Sequence, residues 1–367
     1  MWQTDALQFL FAVVLDVLLG DPQGWPHLTR FAGGLTSFWE PLCAHMFGRT
    51  VLGGLFLWCF VCGTMLGLYF LVRNGLSLVH SSLIWIWDAI VIYQTLAARD
   101  LDRHARNIAL PLLLGDIDGA RKSVSYIVGR DTHDLDSSGI SRATVEAVAE
   151  SATDGFVAPL FWAAIGGAPA ALLYRCVNTL DSMVGHRNEQ YERMGKFSAI
   201  ADDALNFIPA RLCAFASLLP RFFHHAASVV TDAGKHVSPN AGWSEAAAAW
   251  ALNVRLGGTN FYDGIPFEGP VFNPTAPDPY PSDISRVLRW FWSIVLFCVL
   301  LGASALYLRD RHPKPPPHPA ETLPSAPSSG FTPPILQRPF IQQQASPPAK
   351  IHGQIKRPTH YGTEPAP

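Results

Sequence analysis

The sequence predicts an all-α, polytopic integral membrane protein: about four transmembrane helices, two broken or re-entrant apolar helices and a large polar helical region. Three observations predict it. Only 15% of the 367 residues are charged while 49% are hydrophobic, against about 25% charged in average soluble domains. Residues 51–72 carry no charge at all, and a helix of that length spans the ~30 Å hydrocarbon core. Residues 290–308 form a second such run, with Trp290 and Trp292 at one end and Tyr307 at the other as interface anchors.

The other elements follow in order. Residues 4–20 read as a retained first span, short and containing Asp16, without the Lys or Arg that would open a signal peptide. Residues 75–98 form a weaker span interrupted by His80 and Asp88. An ionisable group at that depth marks either function or a helix end. Residues 156–177 are broken by Gly166, Gly167 and Pro169, and residues 205–220 carry Pro209 and Arg211. Both stretches suit helices packed inside the protein. With spans at 4–20, 51–72, 75–98 and 288–308, loop 21–50 and region 99–286 share one side. That side holds most of the Lys and Arg, which places it in the cytoplasm of a multi-pass cell-membrane protein.

The character changes at the C-terminus. The segment from His312 onward holds half of the chain's 30 prolines. It cannot bury enough apolar surface to offset its ordering entropy, so residues 311–367 are expected to be a disordered tail behind a membrane-embedded domain of residues 1–310. The formal net charge of −2 gives no basic footprint. The bilayer is therefore an expected partner and nucleic acid is not. Cys59 and Cys62 lie inside an apolar run and read as packing residues. There is no P-loop, dinucleotide fingerprint or H-E-x-x-H signal.

Six polar blocks carry the candidate chemistry. Gly20 to His27, GDPQGWPH, holds Asp21 and His27 beside the first span on a path that two prolines fix, or else is a plain helix stop. In Gly129-Arg130-Asp131-Thr132, Arg130 can fork onto a phosphate, or pair with Asp131. In Ser141–Gly155, Arg142, Glu146 and Glu150 recur every four residues and Asp154 extends the stripe. Val145, Val148, Ala149 and Ala152 supply its packing face. The stripe is a solvated face or a site for a metal or a substrate amine. Asn178 and Asp181 share a face, as do Asp202 and Asn206, with Asp203 adjacent and Arg211 two turns on. Paired aspartates with an asparagine suit Mg²⁺, whereas a helix cap would explain only one of them. Finally, Lys235, His236, Ser238 and Asn240 precede an Ala-rich run that Ser244 can cap and Gly257-Gly258 can end. Such a helix start favours anions.

Together these blocks resemble the CobD/CbiB family of membrane-bound adenosylcobinamide-phosphate synthases. The matching segments are GDPQGWPH (20–27), GRDT (129–132), VEAVAESATDG (145–155), APLFWAAIGG (158–167), YRCVNTLDSMVGHRNEQY (174–191), DDALNFIPARL (202–212), KHVSPNAGWSEAA (235–247) and RLGGTNFYDG (255–264). They keep the family's order over roughly residues 5–308. The chain departs where the family often has Ser (Val237), Pro (Ser244), Asn (Ser151) or Arg (Ile200). The resemblance implies ATP-dependent amide formation between adenosylcobyric acid and (R)-1-amino-2-propanol or its O-phosphate, with Mg²⁺, and association with other membrane enzymes of the pathway. On that footing Asp181, Asp202 and Asp203 are expected to hold metal. Glu146, Glu150, Asp154 and His236 are expected to do catalysis. Asp21, His27, Arg130, Asp131, Asn178, Asn206, Arg211, Lys235, Ser238 and Asn240 are expected to bind substrate or phosphate. A non-catalytic membrane sensor on the same scaffold and a corrinoid transporter are the rival expectations.

Overall fold

A side-chain cap opens each of the first four helices, as the sequence around each start dictates. Asp5 accepts the Gln8 N–H at 2.7 Å to begin α1 (Ala6–Leu19), and His27 does the same for α2 (Leu28–Phe47). Thr50 opens α3 (Val51–Val79) and His80 opens α4 (Ser81–Tyr93). The computed structural model describes residues 4–22, 24–186, 188–219 and 222–311. The expected tail, Arg311 apart, lies outside the described residues.

His80 is the sole residue between α3 and α4, which form an antiparallel helical hairpin. Asp88 on α4 reaches back across it, accepting the Tyr69 hydroxyl at 2.7 Å and the Arg73 Nε–H at 3.2 Å. The ionisable group read from sequence is thus paired and buried. After α4 come α5 (Ala98–Leu113), α6 (Ile117–Val124) and α7 (Ser137–Ala152). A single π-helical turn, Thr153–Val157, joins α7 to α8 (Ala158–Val184). Gly167 kinks α8 with φ 70° and ψ −162°, so the break expected there is real. α9 (Lys196–Leu218) instead runs straight through Pro209. Then follow α10 (Phe222–Ala233), α11 (Ala241–Leu252), a two-stranded antiparallel hairpin of β1 (Leu256–Tyr262) and β2 (Ile265–Phe272), and α12 (Pro281–Arg311).

Four segments are long and apolar enough to cross a membrane: Val51–Val79, Ser81–Leu113, Ser137–Val184 and Pro281–Arg311. The protein is an all-α membrane protein, as expected, but the set of spans differs. α1 has 14 residues and so reaches about 21 Å, short of the ~30 Å core. It packs against α4 and α12 instead, where Phe9 fills the space left by Gly302. The stretch around residues 156–177 takes its place because α7 and α8 run on through the π turn.

The hairpin was not expected. Gly257 and Gly258 do not end α11; that helix stops at Asn253, which adopts the left-handed conformation with φ 54°. The two glycines, with φ 80° and 88°, form an irregularity in β1, where a Cβ on Gly257 would overlap the Pro270 carbonyl. Ser244 does not cap α11 either. Ser238 Oγ accepts the Asn240 and Ala241 N–H groups at 3.2 and 3.3 Å, and Ser244 lies inside the helix.

Candidate active site

The site is built where the π turn meets α8 and α9. π turns inside α-helices recur at functional sites because the extra residue re-aims side chains. Tyr174 and Arg175, neighbours on α8, start two converging hydrogen-bond chains. The Tyr174 hydroxyl donates to Asn206 Oδ1 at 2.9 Å, and Asn206 Nδ2 donates to Asp202 Oδ2 at 3.0 Å. Arg175 Nη1 donates to Asn178 Oδ1 at 3.3 Å, and Asn178 Nδ2 donates to Asp202 Oδ1 at 3.3 Å. Asp202 is therefore held at both oxygens, and each oxygen keeps a lone pair. Burial pushes its carboxyl up to about 6, against the pull of the two amides. Arg175 also donates to the Thr95 carbonyl at 3.0 Å and the Gly155 carbonyl at 3.3 Å. It thereby ties the α4–α5 connection and the π turn to α8.

A cavity of about 330 Å³ opens over this network. Five carboxylates line it: Glu150, Asp154, Asp181, Asp202 and Asp203. No Lys or Arg does. Its other wall comes from His236, Ser238 and Asn240. His236 Nδ1 accepts the Ser238 N–H at 2.9 Å, which puts the proton of the neutral ring on Nε2. Burial lowers the pKa of this ring, favouring that neutral form. His236 thus offers a hydrogen-bond donor rather than a base. Asn240 Nδ2 donates to the Asp203 carbonyl at 2.8 Å, bridging α11 to α9. Arg211 holds it there at 3.3 Å while its guanidinium stacks on Phe207 and Trp243.

Mg²⁺ fits this wall in one form only. Among the described residues no three His, Cys, Asp or Glu side chains come close enough to enclose a metal. Separate carboxylates facing a cavity with no Lys or Arg among its described lining residues suit an ion that keeps waters and is shared with phosphate. Asp181, Asp202 and Asp203 would hold it partly through its own waters.

Several residues expected in the site are elsewhere. Arg130 does not line the cavity: it pairs with Glu146 at 2.7 Å and donates to Asn260 Oδ1 at 2.8 Å. Glu146, 4% exposed, also accepts the Gly257 N–H at 2.6 Å. Arg142 donates to the Gly257 and Thr259 carbonyls. Arg130, Arg142 and Glu146 therefore fasten the hairpin to α7, and that face is not solvated. Asp131 caps the hairpin turn, accepting the Gly264 N–H at 2.7 Å, rather than answering Arg130. Asp21 pairs with Arg30 at 3.0 Å, and His27 caps α2; neither reaches the cavity. Lys235 pairs at 2.6 Å with Asp232. Burial alone would raise the Asp232 carboxyl, but hydrogen bonds from the Asn273 N–H, Lys235 and Trp250 outweigh it and hold it below the usual range. Lys235→Gln is accordingly expected to cost about 1–3 kcal/mol of stability, because it takes one donor from a buried carboxylate that keeps the Trp250 and Asn273 N–H groups. Its kcat should stay near wild type in a turnover assay; a hundredfold fall would return Lys235 to the site.

Sequence reading missed Tyr174, Arg175 and Glu245. Burial, with Glu150 and Glu146 beside it, holds Glu245 well above the usual carboxylate range. All three stand in the matched segments, which was the available signal.

Comparison with known proteins gives the site its setting. The family model described as CobD/Cbib protein matches residues 9–291. The chain belongs to the CobD/CbiB family. It is 39% identical to the cobalamin biosynthesis protein CobD of Citrobacter koseri, over 81% of this chain and 99% of that protein. It is 39% identical to CbiB of Salmonella arizonae, over 82% and 97%, and 40% identical to CobD of Klebsiella pneumoniae, over 78% and 92%. No solved structure matches. Membership in the CobD/CbiB family supports a role in cobalamin biosynthesis as a biosynthetic enzyme of the membrane.

Proposed function

We propose that this CobD/CbiB protein is an ATP-dependent amide ligase joining (R)-1-amino-2-propanol or its O-phosphate to adenosylcobyric acid. The observation that carries the reading is the acid-walled cavity itself, with Asp202 fixed by two amides opposite the His236 donor. Five carboxylates, with no Lys or Arg among the described lining residues, repel bare phosphate, so the cavity suits phosphate that arrives with a divalent ion. Magnesium, when bound, supplies the charge that lets phosphates approach this wall.

The chemistry asks for three things from the chain. Asp181, Asp202 and Asp203 would hold the ion, which would supply charge neutralisation for the nucleotide phosphates; a propionate oxygen of the corrinoid takes the terminal phosphoryl group and ADP leaves. His236 Nε2–H stabilises charge on the phosphoryl or acyl oxygens. Glu150 accepts a proton as the amine nitrogen attacks the acyl carbon and inorganic phosphate departs. Glu150 suits this role because its side chain is exposed and lines the cavity, where a substrate nitrogen can reach it. For this reaction the polar elements carrying these groups must open to the cytoplasm, where ATP is supplied.

The test uses membranes containing the full chain, adenosylcobyric acid, the amino alcohol or its phosphate, Mg²⁺ and ATP. An amide product that depends on ATP is expected. Folded protein giving none sinks the ligase reading, and corrinoid flux without ATP cleavage would make the protein a transporter.

A further inference from the structure

A second polar cavity, of about 410 Å³, lies on the far side of the same wall. Its volume falls within the ~300–1,000 Å³ of small-molecule sites. Glu150 and Asp154 line both cavities. Between them the Asn178–Asp202 hydrogen bond closes the partition, Asn178 facing the second cavity and Asp202 the first. The two chambers differ in charge. Among the described residues the first has no Lys or Arg lining; the second adds Arg175 and His104 to its acids, Asp100 among them, with the Ser151 hydroxyl as a donor while that of Ser182 is held by the Asn178 carbonyl at 2.9 Å.

Resting on the ligase reading, we propose that the two chambers divide the substrates: the second cavity takes the amino alcohol, and the first takes the Mg²⁺–nucleotide and the acyl end of the corrinoid. An ammonium needs a carboxylate, and a hydroxyl or phosphate ester needs donors and positive charge. The second cavity offers both: Glu150 and Asp154 on the shared wall, Arg175 beside Asn178 at its edge, and His104 and Ser151 among its other lining residues. The amine nitrogen is thereby held against Glu150 and Asp154, the groups that also face the acyl end. Asp154 takes one proton from the ammonium and frees the nitrogen lone pair; as the C–N bond forms, the second N–H proton passes to Glu150, and the acyl C–O bond breaks to release phosphate into the first cavity. The partition keeps the amine from the nucleotide until an acyl group is there to accept it.

Site-directed labelling tests this without relying on turnover. Ser182→Cys places a thiol in the second cavity alone and Val237→Cys one in the first alone. Each is made in a Cys59→Ser background, since Cys59 is exposed and the other native cysteines are buried. The full chain in nanodiscs is treated with a charged methanethiosulfonate reagent. At ten times its Kd a ligand leaves about one-tenth of its site free. Aminopropanol O-phosphate is therefore expected to slow labelling of Ser182→Cys about tenfold and to leave Val237→Cys unchanged; Mg·ATP should do the reverse. Ser151→Cys replaces Ser182→Cys should that variant fail to accumulate. Protection of one and the same thiol by both ligands, a reversed pattern, or no protection overturns the proposal. Amide formation by the unsubstituted protein is measured in parallel. Product with the wrong protection pattern overturns the partition alone, whereas no product overturns the ligase reading beneath it.

Discussion

Asp202→Asn is expected to lower amide formation by at least about a hundredfold, the size of loss typical when one preorganised electrostatic group is removed, while membrane insertion stays intact. The substitution is nearly isosteric but reverses one hydrogen bond. Asp202 accepts from Asn206 on one oxygen and from Asn178 on the other. An asparagine must turn its own NH₂ toward one of those donors. Flipping the neighbouring amide does not repair this cheaply, because Tyr174 fixes Asn206 and Arg175 fixes Asn178. The charge that would hold Mg²⁺ is lost as well. A variant that inserts normally and turns over at half the wild-type rate would remove Asp202 from the metal site.

The same residue sets a pH dependence. Its carboxyl is raised to about 6 by burial, so the cation-binding, ionised form is lost as pH falls through that value. Because metal and proton compete for the carboxylate, more Mg²⁺ should move the acid limb of the rate profile to lower pH. An acid limb that ignores Mg²⁺ concentration would assign it to another group.

Arg175→Lys is expected to be the most damaging conservative substitution in the chain. The guanidinium bonds the Thr95 carbonyl of the α4–α5 connection, the Gly155 carbonyl of the π turn and Asn178 Oδ1 on its own helix. A lysine brings the charge but not the planar fork. Each buried acceptor left without its donor costs about 1–3 kcal/mol, so a loss of at least about 3 kcal/mol is expected. The π turn should loosen with it, carrying Asp154 out of register with Asp202. Thermal unfolding of the detergent-purified protein followed by tryptophan fluorescence reports the first effect, and turnover of the remaining folded fraction reports the second. An unchanged midpoint with full activity would show that the π turn holds without Arg175.

Residue composition and period alone determined much of this protein. The uncharged runs at 51–72 and 290–308 forced long apolar helices, since a backbone in lipid must satisfy its own hydrogen bonds. The spacing Asp202–Asn206 placed two polar groups on one helix face, and Gly166-Gly167 announced the kink in α8. The order of the polar segments pointed to the CobD/CbiB family. Tertiary structure decided the rest, because it turns on pairings between residues far apart in the chain. Arg130 and Glu146 looked like site residues until the hairpin packed against their ion pair: Asn260 and Gly257 take up their remaining hydrogen bonds. Lys235 was spent on Asp232, three residues away, which local spacing allowed but did not require. Tyr174 and Arg175 gain their roles only because α9 and the α4–α5 connection pack against α8. The acid-walled cavity first read as a string of separate aspartates is one site because five carboxylates from α7, the π turn, α8 and α9 share one space. No period in the sequence encodes that convergence, since it depends on which helix faces meet.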